Sequence, residues 1–596
     1  MRVLPVFPAF PPSFWSYRYA VELVGKKATM PPTGLATVCA MLPRKHFNVM
    51  PIVDLNVEPL TDETIKKSDI IFASSMIVQK NSLEELIERA HYFGKKVVAG
   101  GPYPTSYQDD VPADYLVLDE AEVTLEPFLQ DLLNAQAQKV YNEANTLPRV
   151  QQELLSKSGK PKLNQTPIPR WDLLKLEQYS SLAIQYSRGC PFNCEFCDIT
   201  TLFGRESRTK TPEQIIQEIE AIYTTGWRGS IFIVDDNFIG NREEVRKMLP
   251  VLSAWQKKHE YPYTLFTEAS MDLANPANKN IREGMIDAGF DSIFVGIESD
   301  DAEVLKKMKK QQNLGAISPA DKIRILQEAG FEVTGGFIIG SDGEKPDVFE
   351  RIFKFIQTSG VVIPMAGLLT ALRGTSLYNR LESEGRLRRE TTGNNTHQLG
   401  FNFKPQLEES FLIRGYLGLL QKLFDSSNYY ERCRVLSKRR GEYHHSNLVD
   451  AKGLHAFANL LFENTLIHPD MAFYKYLTQT AFSNPSRIPE AVVHAAKLRH
   501  FKIMTENTLE VMKYTEKTKS LYKSFCEHAS KLGGDAKERI RKLGRVEKSV
   551  IKEAKIRYAR LHDDFRENAR GALDSLTSMV KSYKQNYLSN NEKDAE

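Results

Sequence analysis

The sequence predicts an α/β fold in three parts: a doubly wound domain, a partial barrel of six strand–helix units, and an α-helical C-terminal region. Strand and helix patterns alternate over the first 140 residues and again from Leu182 to about residue 400, which is typical of parallel sheets covered by helices. Beyond residue 400 the apolar residues recur with a helical period. We expect domains at 1–140, 182–400 and 401–510, a linker at 141–181 and a charged helical tail at 511–596.

Composition narrows the class of protein. The chain has 596 residues, of which 41% are hydrophobic and 26% charged, as in ordinary globular proteins. No apolar run approaches the roughly 18 residues of a membrane span, and the N-terminus lacks the layout of a signal peptide. Six cysteines do not make a disulfide scaffold in a chain of this length. These observations predict a cytoplasmic protein.

The first domain carries small and flexible residues where its predicted strands end. Ligands of such sheets bind at the carboxyl ends of the strands, and glycine lets backbone approach a ligand closely. No Gly-x-Gly-x-x-Gly string follows the first strand, which argues against a dinucleotide site. The candidate binding residues are Ser75, Met76, Gly100, Gly101 and Pro102, together with Glu120 in an acidic turn.

Six strands are predicted after the linker, too few for a closed eight-stranded barrel. They are Leu182–Ser187, Ser230–Val234, Tyr263–Thr267, Ser292–Ile297, Val333–Ile339 and Gly367–Ala371. Active sites of such barrels lie at the carboxyl ends of the strands. The polar residues there are candidates for binding a cofactor: Asp235, Asp236, Glu268, Ser270 and Glu298. Asp235 or Asp236 could instead cap the helix that follows Asn241.

Three cysteines stand in a C-x3-C-x2-C string: Cys190, Cys194 and Cys197, with Phe196 before the last. Three thiolates so close can hold three irons of a [4Fe–4S] cluster and leave the fourth open, whereas electron-transfer clusters normally have four cysteines. Zinc is the alternative, but zinc prefers four ligands, and no fourth cysteine or histidine lies nearby.

This string resembles the signature of the radical S-adenosylmethionine (radical SAM) enzymes, and the resemblance covers about residues 180–380. It implies that the three cysteines ligate the cluster, that SAM binds the open iron, and that an electron from the cluster cleaves SAM. Carboxylates and hydroxyls suit the ribose hydroxyls and the ammonium of SAM, so the five polar residues at the strand ends are its expected ligands. An electron donor such as flavodoxin or ferredoxin is the implied protein partner.

The first domain resembles the cobalamin-binding domain of one radical SAM subclass. The matching strings are Ser74-Ser75-Met76, Gly100-Gly101-Pro102 and Asp119-Glu120-Ala121-Glu122, the last of which is usually richer in glycine. Another class of cobalamin proteins supplies a histidine from Asp-x-His-x-x-Gly. Here His91 has Arg89 in place of the aspartate, so we interpret His91 as a cation at a helix C-terminus and expect cobalamin without a protein imidazole.

Further strings resemble a subgroup that contains hopanoid C-2 methylases, over about residues 1–500. They include Pro11-Pro12-Ser13-Phe14-Trp15, Val234-Asp235-Asp236-Asn237-Phe238 and Thr370-Ala371-Leu372-Arg373-Gly374, where the family usually has proline in place of Arg373. The resemblance implies a cobalamin-dependent methyltransferase that acts on an unactivated carbon of a small molecule or a polycyclic lipid. A radical SAM cyclase or rearrangement enzyme and a non-enzymatic cobalamin or redox sensor are the alternatives.

The last 86 residues are basic, with 20 Lys and Arg against 13 Asp and Glu, a net charge of +7. Because the two signs are mixed, no nucleic acid partner is expected. Basic segments are drawn to anionic lipids, so peripheral contact with a membrane through this tail is expected.

Overall fold

The computed structural model describes residues 1–388, 391, 393–396, 399–442, 451–534 and 536–592. The chain forms two compact units, Met1–His500 and Phe501–Glu596.

The first sheet is parallel and holds its strands in the order β2-β1-β4-β5-β6-β7, with β3 beside β1. Its strands are β1 (Arg2–Phe7), β2 (Asn48–Val49), β3 (Val53–Asp54), β4 (Ile70–Ser74), β5 (Lys96–Gly100), β6 (Tyr115–Val117) and β7 (Val140–Tyr141). The helices between them are α1 (Arg18–Val21), α2 (Thr33–Met41), α3 (Asp62–Lys67), α4 (Lys80–Tyr92), α5 (Pro102–Ser106), α6 (Ala121–Leu133) and α7 (Glu143–Thr146).

Successive residues of the central strands enter two different hydrophobic cores. Ile71 and Ala73 of β4 pack on one face of the sheet, whereas Ile70 and Phe72 pack on the other. Side chains of a strand alternate between its faces, so apolar residues at every position require helices on both sides. The predicted doubly wound domain is confirmed.

A second parallel sheet follows, in the order β15-β14-β13-β12-β11-β8. Its strands are β8 (Ser181–Ile184), β11 (Gly229–Ile233), β12 (Tyr263–Ala269), β13 (Phe290–Glu298), β14 (Glu332–Ile339) and β15 (Pro364–Leu368). An antiparallel pair, β9 (Ser187–Arg188) and β10 (Arg208–Thr209), lies outside it. The helices are α8 (Ile199–Phe203), α9 (Pro212–Thr224), α10 (Arg242–Lys258), α11 (Lys279–Asp287), α12 (Ala302–Lys307), α13 (Pro319–Glu328), α14 (Val348–Ser359) and α15 (Ser376–Ser383).

Within the described residues β8 and β15 are the edges of this sheet, so the predicted partial barrel is confirmed. The last strand begins three residues earlier than predicted and ends at Leu368. The Leu369 amide still donates to the Ile339 carbonyl of β14 at 2.8 Å, but the Ala371 amide donates to Asn402 Oδ1 at 3.0 Å, so the pairing does not continue to Ala371.

The remaining elements of the described chain are helical, as predicted. They are α16 (Glu409–Leu423), α17 (Ser426–Arg439), α18 (Ala451–Phe462), a π-helix (Glu463–Ile467), α19 (Met471–Ser483), α20 (Ile488–Ser530), α21 (Ala536–Ala559) and α22 (Asp563–Glu592). The predicted boundary at residue 511 lies inside α20. In the described residues no helix is both long and apolar enough to cross a membrane.

Candidate active site

The cysteine string forms a loop between β9 and β10. Pairing of Arg188 with Arg208 closes the base of this loop. Gly189 has a left-handed φ of +89°, and a Cβ there would lie 2.4 Å from the Glu206 carbonyl oxygen, so only glycine fits at this point. The Glu195 backbone bonds to Met308 at 3.0 Å and to Leu377 at 2.7 Å, and these contacts hold the middle of the loop against the barrel.

The three thiols have polar neighbours from distant parts of the chain. Gln312 Nε2 donates to Cys194 Sγ at 3.3 Å, and Asn237 Nδ2 lies 4.0 Å from Cys190 Sγ. The sulfur atoms do not all lie within 4.8 Å of one another. A tetrahedral zinc ion with Zn–S bonds of about 2.3 Å would bring sulfurs to about 3.8 Å, whereas a cluster, in which each thiolate binds a different iron, separates them further. The spacing therefore does not match a single tetrahedral zinc ion.

A buried ion pair lies beside this loop. Lys310 Nζ contacts Glu298 Oε1 at 2.7 Å, and the ammonium lies over the Phe196 ring, 5.7 Å from its centre. Burial opposes the charged form of Lys310, but Glu298 and Cys194 outweigh it, so its pKa is raised. Nothing in the sequence pattern singled out Lys310 or Gln312, because both belong to a loop that follows α12.

The two predicted aspartates after β11, Asp235 and Asp236, have different surroundings. Asp235 is buried and accepts from the Tyr186 amide at 2.8 Å and from Ser187 Oγ at 2.6 Å, so it fixes the chain that leads into the cysteine loop. It does not cap α10, whose cap is Asn241. Asp236 remains half-buried next to the loop and accepts from the Gly189 amide at 3.3 Å. Burial raises the pKa of Asp236 to about 7.

Glu268 and Glu298 lie on neighbouring strands of the barrel. Burial, together with Asp236, raises the pKa of Glu268 to about 8, so a cationic ligand there would favour its ionised form. Ser270 Oγ donates to Asn237 Oδ1 at 3.1 Å. Asn237, which follows the predicted pair Asp235 and Asp236, therefore connects Ser270 to the cysteine loop.

Aromatic rings occupy the same face of the barrel sheet. Phe232 is paired in register with Phe266, and Glu268 with Phe294, so these side chains point to one face, and all are half-buried. The rings of Phe232 and Phe266 stack at 4.7 Å. Trp15, from the first domain, packs edge-on against Phe294 at 5.2 Å. The face that carries Glu268 is thus largely aromatic beside and before that residue.

A cavity of about 1140 Å³ lies at the carboxyl ends of β1, β4, β5 and β6 and extends to the first strands of the barrel. This exceeds the roughly 300–1,000 Å³ of pockets for drug-sized ligands, so it suits a large cofactor. Of the predicted residues it is lined by Met76, Gly100, Gly101, Pro102 and Glu120, and Trp15 lines it too.

One predicted contact of the cavity, that of Ser75, differs from expectation. Its wall contains Ser74 and not Ser75, whose amide and carbonyl bond to Gly100 and Tyr103. Gly101 has φ +93°, and a Cβ there would lie 2.8 Å from Ser74 Oγ. No histidine is among the described residues that line the cavity. His91 lies in the last turn of α4 and contacts Asp114 at 2.9 Å.

Glu120 also joins the cavity to the cysteine loop. Arg208 contacts both of its carboxylate oxygens, at 2.8 and 2.9 Å, and Arg188 adds a contact of 2.9 Å. Both arginines belong to the strands that close the base of the cysteine loop. The two candidate cofactor sites therefore share a buried ion network.

Comparison with known proteins agrees with this arrangement. The chain matches a B12 binding domain over residues 26–129, the radical SAM superfamily over 184–356 and a domain of unknown function, DUF4070, over 375–513. It is 40% identical to an uncharacterized methyltransferase of Synechocystis sp., over 76% of this chain and 83% of that protein. This chain belongs to the cobalamin-dependent radical SAM methyltransferases.

The methyltransferase is also 37% identical to the hopanoid C-2 methylase of Rhodopseudomonas palustris, over 65% of this chain and 71% of that protein. Among solved structures it resembles the radical SAM methyltransferase TsrM of Kitasatospora setae with cobalamin and a [4Fe–4S] cluster bound. That match has a TM-score of 0.52 at 14% identity and covers 83% of this chain and 99% of the other. It supports the fold.

The cofactors of the methyltransferase are a [4Fe–4S] cluster, SAM and cobalamin, as predicted. When bound, the cluster supplies the electron that cleaves SAM, and cobalamin supplies the methyl group. In the structure the Glu120 network links the cavity to the cysteine loop, Gln312, Asn237 and Lys310 lie beside that loop, and the barrel presents an apolar face nearby.

Proposed function

We propose that the methyltransferase methylates an unactivated carbon of a bulky, largely apolar molecule of the polycyclic lipid class. The observation that carries this proposal is the aromatic face of the barrel, where Phe232, Phe266 and Phe294 are half-buried on the face that also carries Glu268. Apolar rings recognise a substrate by area and shape, and they offer few hydrogen bonds to a polar one.

The position of Trp15 supports the same substrate class. Its ring lines the large cavity and contacts Phe294 of the barrel. A substrate seated against Trp15 and Phe294 would therefore lie between the two cofactor sites, as transfer of a methyl group to a substrate carbon requires. The hopanoid methylase among the relatives is consistent with this proposal.

The residue roles are part of the proposal. Cys190, Cys194 and Cys197 ligate the cluster. Asp236, Glu268 and Glu298 contact SAM, while Asp235 and Ser270 position the chain around it. For cobalamin, the contacts come from Ser74 and from the predicted residues of the cavity wall: Met76, Gly100, Gly101 and Pro102. Ser75 and Glu120 position that wall.

The test is anaerobic reconstitution with cobalamin and SAM, followed by mass analysis after incubation with a polycyclic triterpenoid or with a small polar molecule such as tryptophan. We expect a methylated triterpenoid together with S-adenosylhomocysteine and 5′-deoxyadenosine. In Phe294→Asn the methylated product should fall at least about tenfold, because a desolvated amide costs about 1–3 kcal/mol. SAM cleavage should persist.

Two variants serve as controls. Cys194→Ala should abolish 5′-deoxyadenosine, whereas Phe482→Asn, at a ring that is 92% exposed, should behave as wild type. Methylation of tryptophan in preference to the triterpenoid would overturn the substrate class.

A further inference from the structure

The segment that joins α18 to α19 exposes apolar side chains that nothing in the mechanism uses. We call residues 462–471 the α18–α19 tip. Phe462 is 56% exposed, Leu466 69%, Ile467 52% and Met471 81%. Scattered exposed apolar residues are ordinary, but four within ten residues at one turn indicate a surface that binds something.

The backbone of the tip explains why these side chains face outward. Its π-helix, Glu463–Ile467, ends where the His468 amide donates to the Glu463 carbonyl at 2.8 Å. Asp470 then caps α19 by accepting from the Ala472 and Phe473 amides. The polar groups of the turn are thus satisfied by one another, and the apolar side chains are left on its outside.

The tip adjoins the rim of the large cavity. Arg499 Nε contacts Glu463 Oε2 at 2.6 Å, and the same guanidinium donates to the Tyr19 carbonyl. Arg18, which precedes Tyr19, and Glu22, three residues after it, line the cavity. A binding partner that covers the tip would therefore lie next to one wall of the cavity.

The tip and the basic tail differ in charge, so they would bind lipid in different ways. Between Thr465 and Met471 there is no lysine or arginine, and the carboxylate of Asp470 is used as a cap. The tail carries +7, yet its exposed large apolar residues, among those the structure describes, are Ile556 and Met579. The tip would bind by burying side chains, whereas the tail would bind by salt-sensitive attraction.

We propose that the α18–α19 tip inserts into the interfacial region of a lipid bilayer, from which an apolar substrate enters the adjoining cavity. The proposal rests on the lipid substrate proposed above. A bilayer suits the tip better than an ionic partner because both carboxylates of the tip are engaged, Glu463 by Arg499 and Asp470 as the cap of α19. A bilayer beside the cavity rim would also bring the substrate to its site.

The experiment is co-sedimentation of the full-length holoenzyme with vesicles of zwitterionic phosphatidylcholine at low and high salt. The test variant is L466S/I467S/M471S. The matched control is Phe482→Ser, which removes an exposed ring at the other end of α19. We expect wild type and Phe482→Ser to bind at both salt concentrations, and the triple variant to bind at least tenfold more weakly.

Several results would overturn the proposal. One is equal binding by the triple variant. A second is the absence of binding by any of the proteins. A third is binding to anionic vesicles alone, if that binding is lost at high salt and in the tail variant K548Q/K552Q/K555Q. This result would assign the membrane contact to the tail. A fourth is a wild-type dimer, seen by light scattering, that the triple variant dissociates, which would make the occupant a second copy of this chain.

A second measurement, the rate of methylation, separates the role of the tip from the proposed substrate class. With triterpenoid dispersed in detergent, the triple variant should match wild type in kcat. With triterpenoid embedded in vesicles, it should be at least tenfold slower. If the triterpenoid is not methylated in detergent by wild type either, the substrate class fails, and the vesicle binding still decides the role of the tip.

Discussion

Two buried ion networks lie at opposite ends of the barrel, and they differ in what they connect. The cofactor-side network comprises Glu120, Glu122, Arg188 and Arg208, and it joins the first domain to the base of the cysteine loop. The base network comprises Glu332, Arg440, Glu490, His494 and Lys497. It begins at the first residue of β14 and contacts α20. In barrels of this kind, chemistry belongs to the carboxyl ends of the strands and stability to the amino ends.

The cofactor-side network is rigid in its geometry. Arg208 binds Glu120 through two parallel bonds, and such bidentate pairs fix both distance and orientation. Burial opposes ionisation of Glu122, but Arg188 outweighs it and lowers the pKa of Glu122 to about 2. Glu122 therefore stays ionised at neutral pH, and the network joins the first domain to the cysteine loop through buried ion pairs.

The base network resembles a metal site in its ligand types, because Glu332, Glu490 and His494 converge within 4.8 Å. However, Lys497 contacts Glu332 at 2.9 Å and Arg440 contacts Glu490 at 3.3 Å, so cationic side chains already supply the charge that a metal ion would bring. Lys497 and His494 hold the pKa of Glu332 well below its usual range despite its burial. This network stabilises the packing of the helices on the barrel.

The largest effect is expected from Arg208→Met. Loss of one partner from a buried ion pair costs about 3–5 kcal/mol, and displacement of reacting groups by about 1 Å can cost about 100-fold in rate. We expect methylation to fall at least 100-fold. The free energy of unfolding, measured in denaturant, should be lower by about 3–5 kcal/mol. Arg149→Met, which breaks a surface pair with Asp131, should cost at most about 1 kcal/mol. Undiminished methylation by Arg208→Met would remove the positioning role.

Glu332→Gln should destabilise the protein without impairing catalysis. The change leaves Lys497 and His494 without their carboxylate, at a cost of about 3 kcal/mol or more. We expect kcat of the folded enzyme to stay within about twofold, measured below the temperature at which unfolding begins. A drop in methylation with no drop in stability would contradict this comparison and give the base network a part in the reaction.

The last expected effect is a pH dependence of stability that comes from the base network. Burial disfavours the charged form of His494, but Cys433 and Glu332 outweigh it and raise its pKa from 6.5 to about 10. Protonated His494 therefore stabilises the folded protein fully below pH 6.5. This contribution to the free energy of unfolding is lost as the pH rises toward 10, by up to about 1.4 kcal/mol per pH unit. Thermal unfolding measured from pH 6 to 9 should show this fall, and His494→Gln should flatten it. An unchanged slope in that variant would refute the assignment.

The sequence by itself determined the features whose parts are close along the chain. The spacing of Cys190, Cys194 and Cys197 lies within one loop, and the strand–helix alternation depends on periods of two and 3.6 residues, so both can be detected without knowledge of the fold. The glycines at the end of β5 are local in the same way. These patterns predicted the layers of the fold, and the strings that resemble known families implied the three cofactors.

Only the tertiary structure decided which polar groups meet. Asp235 was a candidate ligand, but the chain places it against Tyr186 and Ser187, and Ser74 replaces Ser75 in the cavity wall. Gln312 reaches Cys194 across 118 residues and Arg208 reaches Glu120 across 88. Such contacts depend on the order of strands and on the face to which each side chain points, which a single sequence does not encode locally.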